Sequence, residues 1–176
     1  MRKIIFYLMG FLILGGCGYT TRAFISQKYK TIYVAPFENK IDITKETESM
    51  RRYKLYRPLL ERDIYEAVIL RFNRDGNLRV TSKEDSDLIL EAVLFDFRRD
   101  PLRYLDNEEV EEYRISIEVK INLKERKDDK ILKEATIIGD TTYFVLGPNR
   151  KSEPTAIQEA VDDVSRRIVE YIVENW

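Results

Sequence analysis

From Tyr113 to Lys124 hydrophobic and polar side chains alternate without a break. Tyr113, Ile115, Ile117, Val119, Ile121 and Leu123 fall on one face, and Glu112, Arg114, Ser116, Glu118, Lys120, Asn122 and Lys124 on the other. A period of two over this length predicts a long strand from Glu111 to Lys124 with one face buried and one in contact with water or a polar wall. Asp128-Asp129-Lys130 suits a hairpin loop into a further strand from about Ile131 to Val145, in which Gly139 marks either a bulge or a close approach. Gly147-Pro148-Asn149 ends that run. Upstream, Asp87 to Arg98 reads DLILEAVLFDFR, apolar on both alternating sets, which predicts a strand covered on both faces. Thr31 to Phe37, TIYVAPF, predicts a first strand closed by Pro36. Leu78 to Thr81 is either a short strand or the approach to Asp87, with Ser82 to Ser86 as a polar connection.

Two stretches carry the helical period instead. Leu60, Ile64, Ala67, Val68 and Phe72 form a stripe that starts after Pro58, a residue suited to a first helical turn, and stops at Asp75-Gly76. Ile157, Ala160, Val161, Val164, Ile168, Tyr171 and Ile172 form a second stripe, opposed by Glu159, Asp162, Asp163, Arg166, Arg167, Glu170 and Glu174. Its start is marked either by Pro154 in the first turn or by Thr155 and Gln158 as a capping box. The order is strand, helix, strand, strand, strand, helix. Both helices must bury a stripe and the sheet needs cover, which predicts an α+β two-layer domain with two helices on one face of a mostly antiparallel sheet of about four strands.

The N-terminus breaks this pattern. Arg2 and Lys3 precede Ile4 to Leu14, an apolar run interrupted only by Gly10, followed by Gly15, Gly16 and Cys17. This reads as a secretory signal peptide, residues 1–16, because the run is shorter than the roughly 20 residues that a membrane-spanning helix needs. Leu14-Gly15-Gly16-Cys17 resembles the bacterial lipobox, so Cys17, the chain's only cysteine, is expected to be acylated and to become the mature N-terminus. Gly18 rather than Asp after it favours the outer membrane by the same resemblance. Residues 17–30 are then a lipidated linker and 31–176 one domain.

Charge and composition narrow the chemistry. Cleavage after Gly16 would leave 160 residues with 28 basic and 31 acidic side chains, a net charge of −3, so any anion must be bound by a local cluster. There is no histidine, which removes the commonest general base and zinc ligand, and no glycine-rich loop precedes a helix. Asp85, Asp87, Glu108, Glu109, Glu111 and Glu112 could supply paired carboxylates, but in a chain with 31 acids they read as solvated face. The chain reads as a non-enzyme without cofactor or metal. Met50 to Arg57, MRRYKLYR, interleaves basic and aromatic residues, which reads as a solvated loop or helix extension rather than a nucleic-acid site.

Cys17-Gly18-Tyr19 with Arg22, VAPFEN at Val34 to Asn39, SDLIL at Ser86 to Leu90, EYRISIEVKINL at Glu112 to Leu123 and a closing amphipathic helix ending in Trp176 resemble, in order and spacing, the LptE family of lipopolysaccharide-assembly lipoproteins. The resemblance covers essentially the whole mature chain, except that Glu38 to Arg57 is a longer charged segment than the family pattern. It implies a lipid-anchored outer-membrane protein on the periplasmic side. Such a protein plugs and helps to assemble the large β-barrel LptD and assists insertion of lipopolysaccharide into the outer leaflet. The family's lipopolysaccharide-binding positions are basic residues in loops flanking the sheet. By place these correspond to Arg103 before the EEYRISIEV strand and Arg150 or Lys151 after the last strand, with Arg98 and Arg99 as secondary candidates. Arg offers phosphate a planar fork and Lys a point charge. The alternative is a periplasmic lipoprotein adaptor whose similar VxPFxN domain docks on a cell-envelope enzyme or synthase.

Overall fold

The computed structural model describes residues 28–41 and 58–174. The signal peptide, Cys17, the linker up to Gln27, the MRRYKLYR segment and Trp176 lie outside the described residues. The elements are β1 (Thr31–Val34), β2 (Glu38–Asn39), α1 (Leu60–Asp75), β3 (Arg79–Val80), β4 (Leu88–Tyr104), β5 (Val110–Glu125), β6 (Lys130–Phe144) and α2 (Glu153–Glu174). They form an α+β domain with both helices on one face of a mixed, mostly antiparallel sheet. Its order is β3-β1-β4-β5-β6, with β2 pairing farther along β4. The sheet has six strands rather than about four, because β2 and β3, two residues each, join its short parallel side.

β1 is the central strand of that side, parallel to both β3 and β4. Asp87 fastens it. Its carboxylate accepts the N–H groups of Lys30 (2.9 Å) and Thr31 (3.1 Å) and the Thr31 hydroxyl (3.0 Å), while its own N–H donates to Thr31 Oγ1 at 2.9 Å. The Lys30 N–H, foremost among these donors, holds the Asp87 carboxyl below its ordinary value. Asp85 accepts the Ser82 hydroxyl at 2.9 Å. These two acids therefore serve the fold, and Asp87 is not the solvated carboxylate that composition alone suggested.

β4 departs most from expectation. Its pairing with β5 slips between Leu94 and Asp96, a bulge at Phe95. Before the bulge Leu88, Leu90, Ala92 and Leu94 are buried, and after it Phe97 is, so the inward side changes parity within one strand. The parity change accounts for Phe97 alone: Ile89, Val93 and Phe95 lie on the outer face, where Ile89 is buried and Val93 partly covered, so cover on both faces holds only at the start of the strand. The outer face is half-exposed, with Phe95 at 44 %. β5 follows its pattern: Ile115, Ile117, Val119, Ile121 and Leu123 are buried while Arg114 and Lys120 are exposed, although Ser116 on the polar side is buried too.

α1 buries Leu60, Ile64, Val68 and Phe72 and stops at Gly76, whose left-handed backbone (φ 76°) aims its N–H at the Phe72 carbonyl (3.0 Å). Pro58 precedes the helix rather than opening it. The cap is Leu59, itself left-handed, whose carbonyl accepts from Arg62 and Asp63. α2 starts at Glu153 with Pro154 in its first turn, as one of the two readings of the sequence has it, and its cap is Ser152: its Oγ accepts the Thr155 N–H (3.3 Å) and its carbonyl the Ala156 N–H (3.1 Å), which places Thr155 inside the helix and excludes it as a cap.

α2 lies along β6 for its whole length. Lys133 on β6 donates to the Tyr171 carbonyl (3.2 Å), covering the end of a helix that has no basic residue in its last turn. At mid-length Gly139 is a close approach, not a bulge: it pairs in register with Ile117, and a Cβ there would collide with the backbone N, Cα and Cβ of Val164. Next to it the Asp140 N–H donates to Asp163 at 3.0 Å. Burial alone would raise the Asp163 carboxyl, but that N–H and the Arg166 and Arg167 guanidiniums outweigh it and hold the group below its ordinary value.

Two outcomes test this architecture. Gly139→Ala must push α2 off the sheet and is expected to cost at least about 2 kcal/mol in chemical denaturation, the range of severe overpacking. Asp87→Ala is expected to cost about 1–3 kcal/mol at neutral pH. Because the folded carboxyl is depressed, its contribution is present above the ordinary value of about 4 and disappears as pH falls through the lower folded value. Denaturation curves of the two proteins should therefore converge in acid.

Candidate functional site

The site develops where the ends of β4, β5 and β6 meet the start of α2. Beyond the bulge Arg99 opposes Ile115 and faces the helix side, beside Tyr113 of β5, which in turn opposes Tyr143 of β6. The two tyrosine rings stack at 5.9 Å and 26°, and the Arg99 guanidinium lies 3.6 Å from the Tyr113 ring centre. Arg99 Nε donates to Tyr143 Oη (2.8 Å), the hydroxyl donates to Glu153 Oε2 (3.2 Å), and Arg99 Nη2 reaches the same carboxylate at 3.6 Å. Tyr143 is 2 % exposed. Burial, ahead of the opposed charges of Arg99 and Glu153, pushes its phenol up to about 12.

Beside this box the chain returns from β6 to α2. The Lys151 N–H donates to the Phe144 carbonyl at 2.8 Å, and its ammonium lies 2.7 Å from both Glu159 oxygens. Glu159 also accepts the Thr141 hydroxyl (3.1 Å), and its carboxyl is held below the ordinary value, chiefly by Lys151. Arg150 is exposed and bridges only through its backbone, to Phe144 and Gly147; its guanidinium has no carboxylate partner among the described residues. Arg99, Tyr143, Val145, Arg150, Lys151, Ser152 and Glu153 line an open cavity of about 390 Å³.

Three of the five sequence-predicted cations, Arg99, Arg150 and Lys151, therefore share one cavity. Arg103 and Arg98 do not, because they oppose Glu112 and Ser116 and so sit on the other face of the sheet. There Arg103 reaches Glu111 (3.9 Å) and Glu112 (3.6 Å) across the Phe144 ring, and Arg98 binds Asp96 at 3.1 Å. Reading the sequence missed Tyr113, Tyr143, Glu153 and Glu159, which pre-pair Arg99 and Lys151. They lie up to 54 residues from the cations they hold, the separation of Arg99 and Glu153, so only the fold reveals them. A wider recess of about 550 Å³ on the outer face holds Lys120, its ammonium 3.3 Å from the Phe95 ring centre. Among the described residues no cluster of acids could hold a metal ion and no helix is long and apolar enough to cross a membrane.

The box has a pH signature. Tyr143 is raised in the folded state, so the stability it lends is complete below its ordinary value of about 10 and is lost as pH rises through about 12. Tyr143→Phe is expected to cost about 0.5–1.5 kcal/mol near neutrality and to remove that part of the alkaline loss, read by denaturation across the alkaline range.

No curated protein matches the chain. Several solved structures share its fold. A crystal structure of a Xanthomonas campestris protein is 13 % identical with a TM-score of 0.56, over 83 % of this chain and 85 % of that one. A minor lipoprotein of Acinetobacter baumannii is 15 % identical with a TM-score of 0.53, over 84 % and 94 %. The lipoprotein B of Nitrosomonas europaea is 13 % identical with a TM-score of 0.50, over 83 % and 81 %. The profile of the LptE family, described as lipopolysaccharide-assembly, matches residues 29–174 and so takes in every described element from β1 to α2. The chain belongs to the LptE family of non-enzymatic lipopolysaccharide-assembly lipoproteins.

Proposed function

We propose that this protein is the lipid-anchored plug and assembly partner of an LptD-like outer-membrane β-barrel, and that it assists insertion of lipopolysaccharide into the outer leaflet. The observation that carries the reading is the family match across the whole described fold. The outer face of β5 supports it, since barrel lumens are polar and Arg114, Glu118, Lys120 and Asn122 would meet water or a polar wall. Acylated Cys17 supplies the anchor, on the periplasmic side of the outer membrane. Lipopolysaccharide phosphates are met first by Arg150, the unpaired cation of the cavity, then by Lys151, which can share its ammonium between Glu159 and a ligand. Arg103 adds a contact from the other sheet face, while Arg99, and more distantly Arg98, support these positions from their ion pairs.

Purification through a C-terminal tag from gently solubilised outer membrane tests the partner. A large β-barrel is expected, and recovery of a cell-wall synthase or other envelope enzyme in its place would establish the adaptor function instead. Intact mass should show a mature chain that starts at Cys17 and carries lipid. Combined Arg103→Glu, Arg150→Glu and Lys151→Glu should leave the fold and the barrel intact and weaken lipopolysaccharide binding by at least about tenfold, with a reduced salt dependence. Unchanged binding by the folded variant would place the ligand elsewhere.

A further inference from the structure

The β4–β5 hairpin runs on past the helical layer. The strands pair as far as Tyr104 and Val110, and every residue from Leu102 to Glu109 is exposed. The tip is nevertheless built: the Leu105 N–H donates to the Glu109 carbonyl (2.8 Å), the Glu108 N–H to the Leu105 carbonyl (2.9 Å) and the Glu109 N–H to Asn107 Oδ1 (3.2 Å). Glu108 holds a left-handed backbone (φ 66°) to close it. On this frame Leu102, Tyr104 and Leu105 are 42, 57 and 38 % exposed, and Leu146, at the same end, is 40 % exposed. Four of the nine large apolar side chains exposed among the described residues thus gather at one end of the sheet. Beside them Asp106, Glu108 and Glu109 have no cationic partner among the described residues, and Arg103, the cation closest to them in sequence, reaches Glu111 and Glu112 instead.

We propose that this acidic, apolar hairpin tip is a docking surface for a protein, and that its partner offers a recess with an apolar floor and a rim of lysine or arginine. The three free carboxylates argue against an anionic lipid surface, which would repel them and make their desolvation costly. Apolar anchors inside a charged rim, on a frame already ordered before binding, are the arrangement that protein recesses accept at small entropic cost. Charge complementarity fixes the rim. The partner sought first is the β-barrel, and for that choice the inference rests on the function proposed above.

A photo-reactive amino acid at Tyr104 of the full-length protein, irradiated in the cell envelope, tests this, with Glu84 in the turn before β4 as the control position. The expected result is one protein adduct at Tyr104 and none at Glu84, mapped to a peptide that carries Lys or Arg beside apolar residues. Combined Asp106→Lys, Glu108→Lys and Glu109→Lys should lower the adduct yield by about tenfold. Leu102→Ser with Leu105→Ser should lower it independently, with thermal unfolding unchanged because neither set belongs to the core. Adducts to lipid alone, no adduct, or a yield unmoved by both sets would overturn the docking surface. A barrel that still co-purifies without a Tyr104 adduct refutes the tip and spares the plug. A basic recess on some other protein does the reverse.

Discussion

The domain depends on the contact between α2 and β6. A helix that lies this close to a strand needs one position without a side chain, and Gly139 supplies it against Val164. Everything else along the pair follows in register: Lys133 meets the last turn, Asp140 meets Asp163, Thr141 meets Glu159 and Tyr143 meets Glu153. The last of these contacts is also a wall of the candidate site, and Glu159 holds the ammonium of Lys151, which lines it. The glycine in mid-strand therefore sets the position of groups that lie several residues away from it, and the core and the cavity are adjusted by one contact rather than two.

A second constraint is electrostatic. In a chain with a slight excess of acid, cations near a cavity are not simply available. Arg99 and Lys151 are each committed to a glutamate of α2, and Arg103 to two glutamates of β5. An anionic ligand must compete for them, so its affinity is set by the difference between two ion pairs and not by either one. Arg150 escapes this competition because it sits in the turn after Gly147, where the chain has left β6 and not yet entered α2.

The parts of the fold written in local periodicity were legible in the sequence. β5 announced itself because one face is core and the other is polar along its whole length and mostly open to solvent, and both helices showed their stripes. Gly139 could be read as a close approach or a bulge, and only the position of Val164 decides between them. β4 misled in part because a bulge leaves no mark on composition: the extra residue at Phe95 moves Phe97 to the other parity, and the outer face is covered at Ile89 but open at Phe95. β2 exists only because β4 provides an edge for two residues. Three of the five cations proposed from their place relative to the strands line one cavity, but the tyrosines and glutamates that pair with them belong to other elements, and nothing in their own neighbourhood marks them.

The parallel placement of β1 bears on how the chain comes together. Thr31 pairs with Asp87 across 56 residues, whereas β4, β5 and β6 are joined by hairpins. Closing a long loop costs more entropy than closing a short one, so the hairpin meander assembles first and gives β1 a prepared slot. The first strand to be synthesised is therefore the last to be seated. Until it is, the edge of β4 stands open, and a chaperone that guards unpaired edges would have its work there.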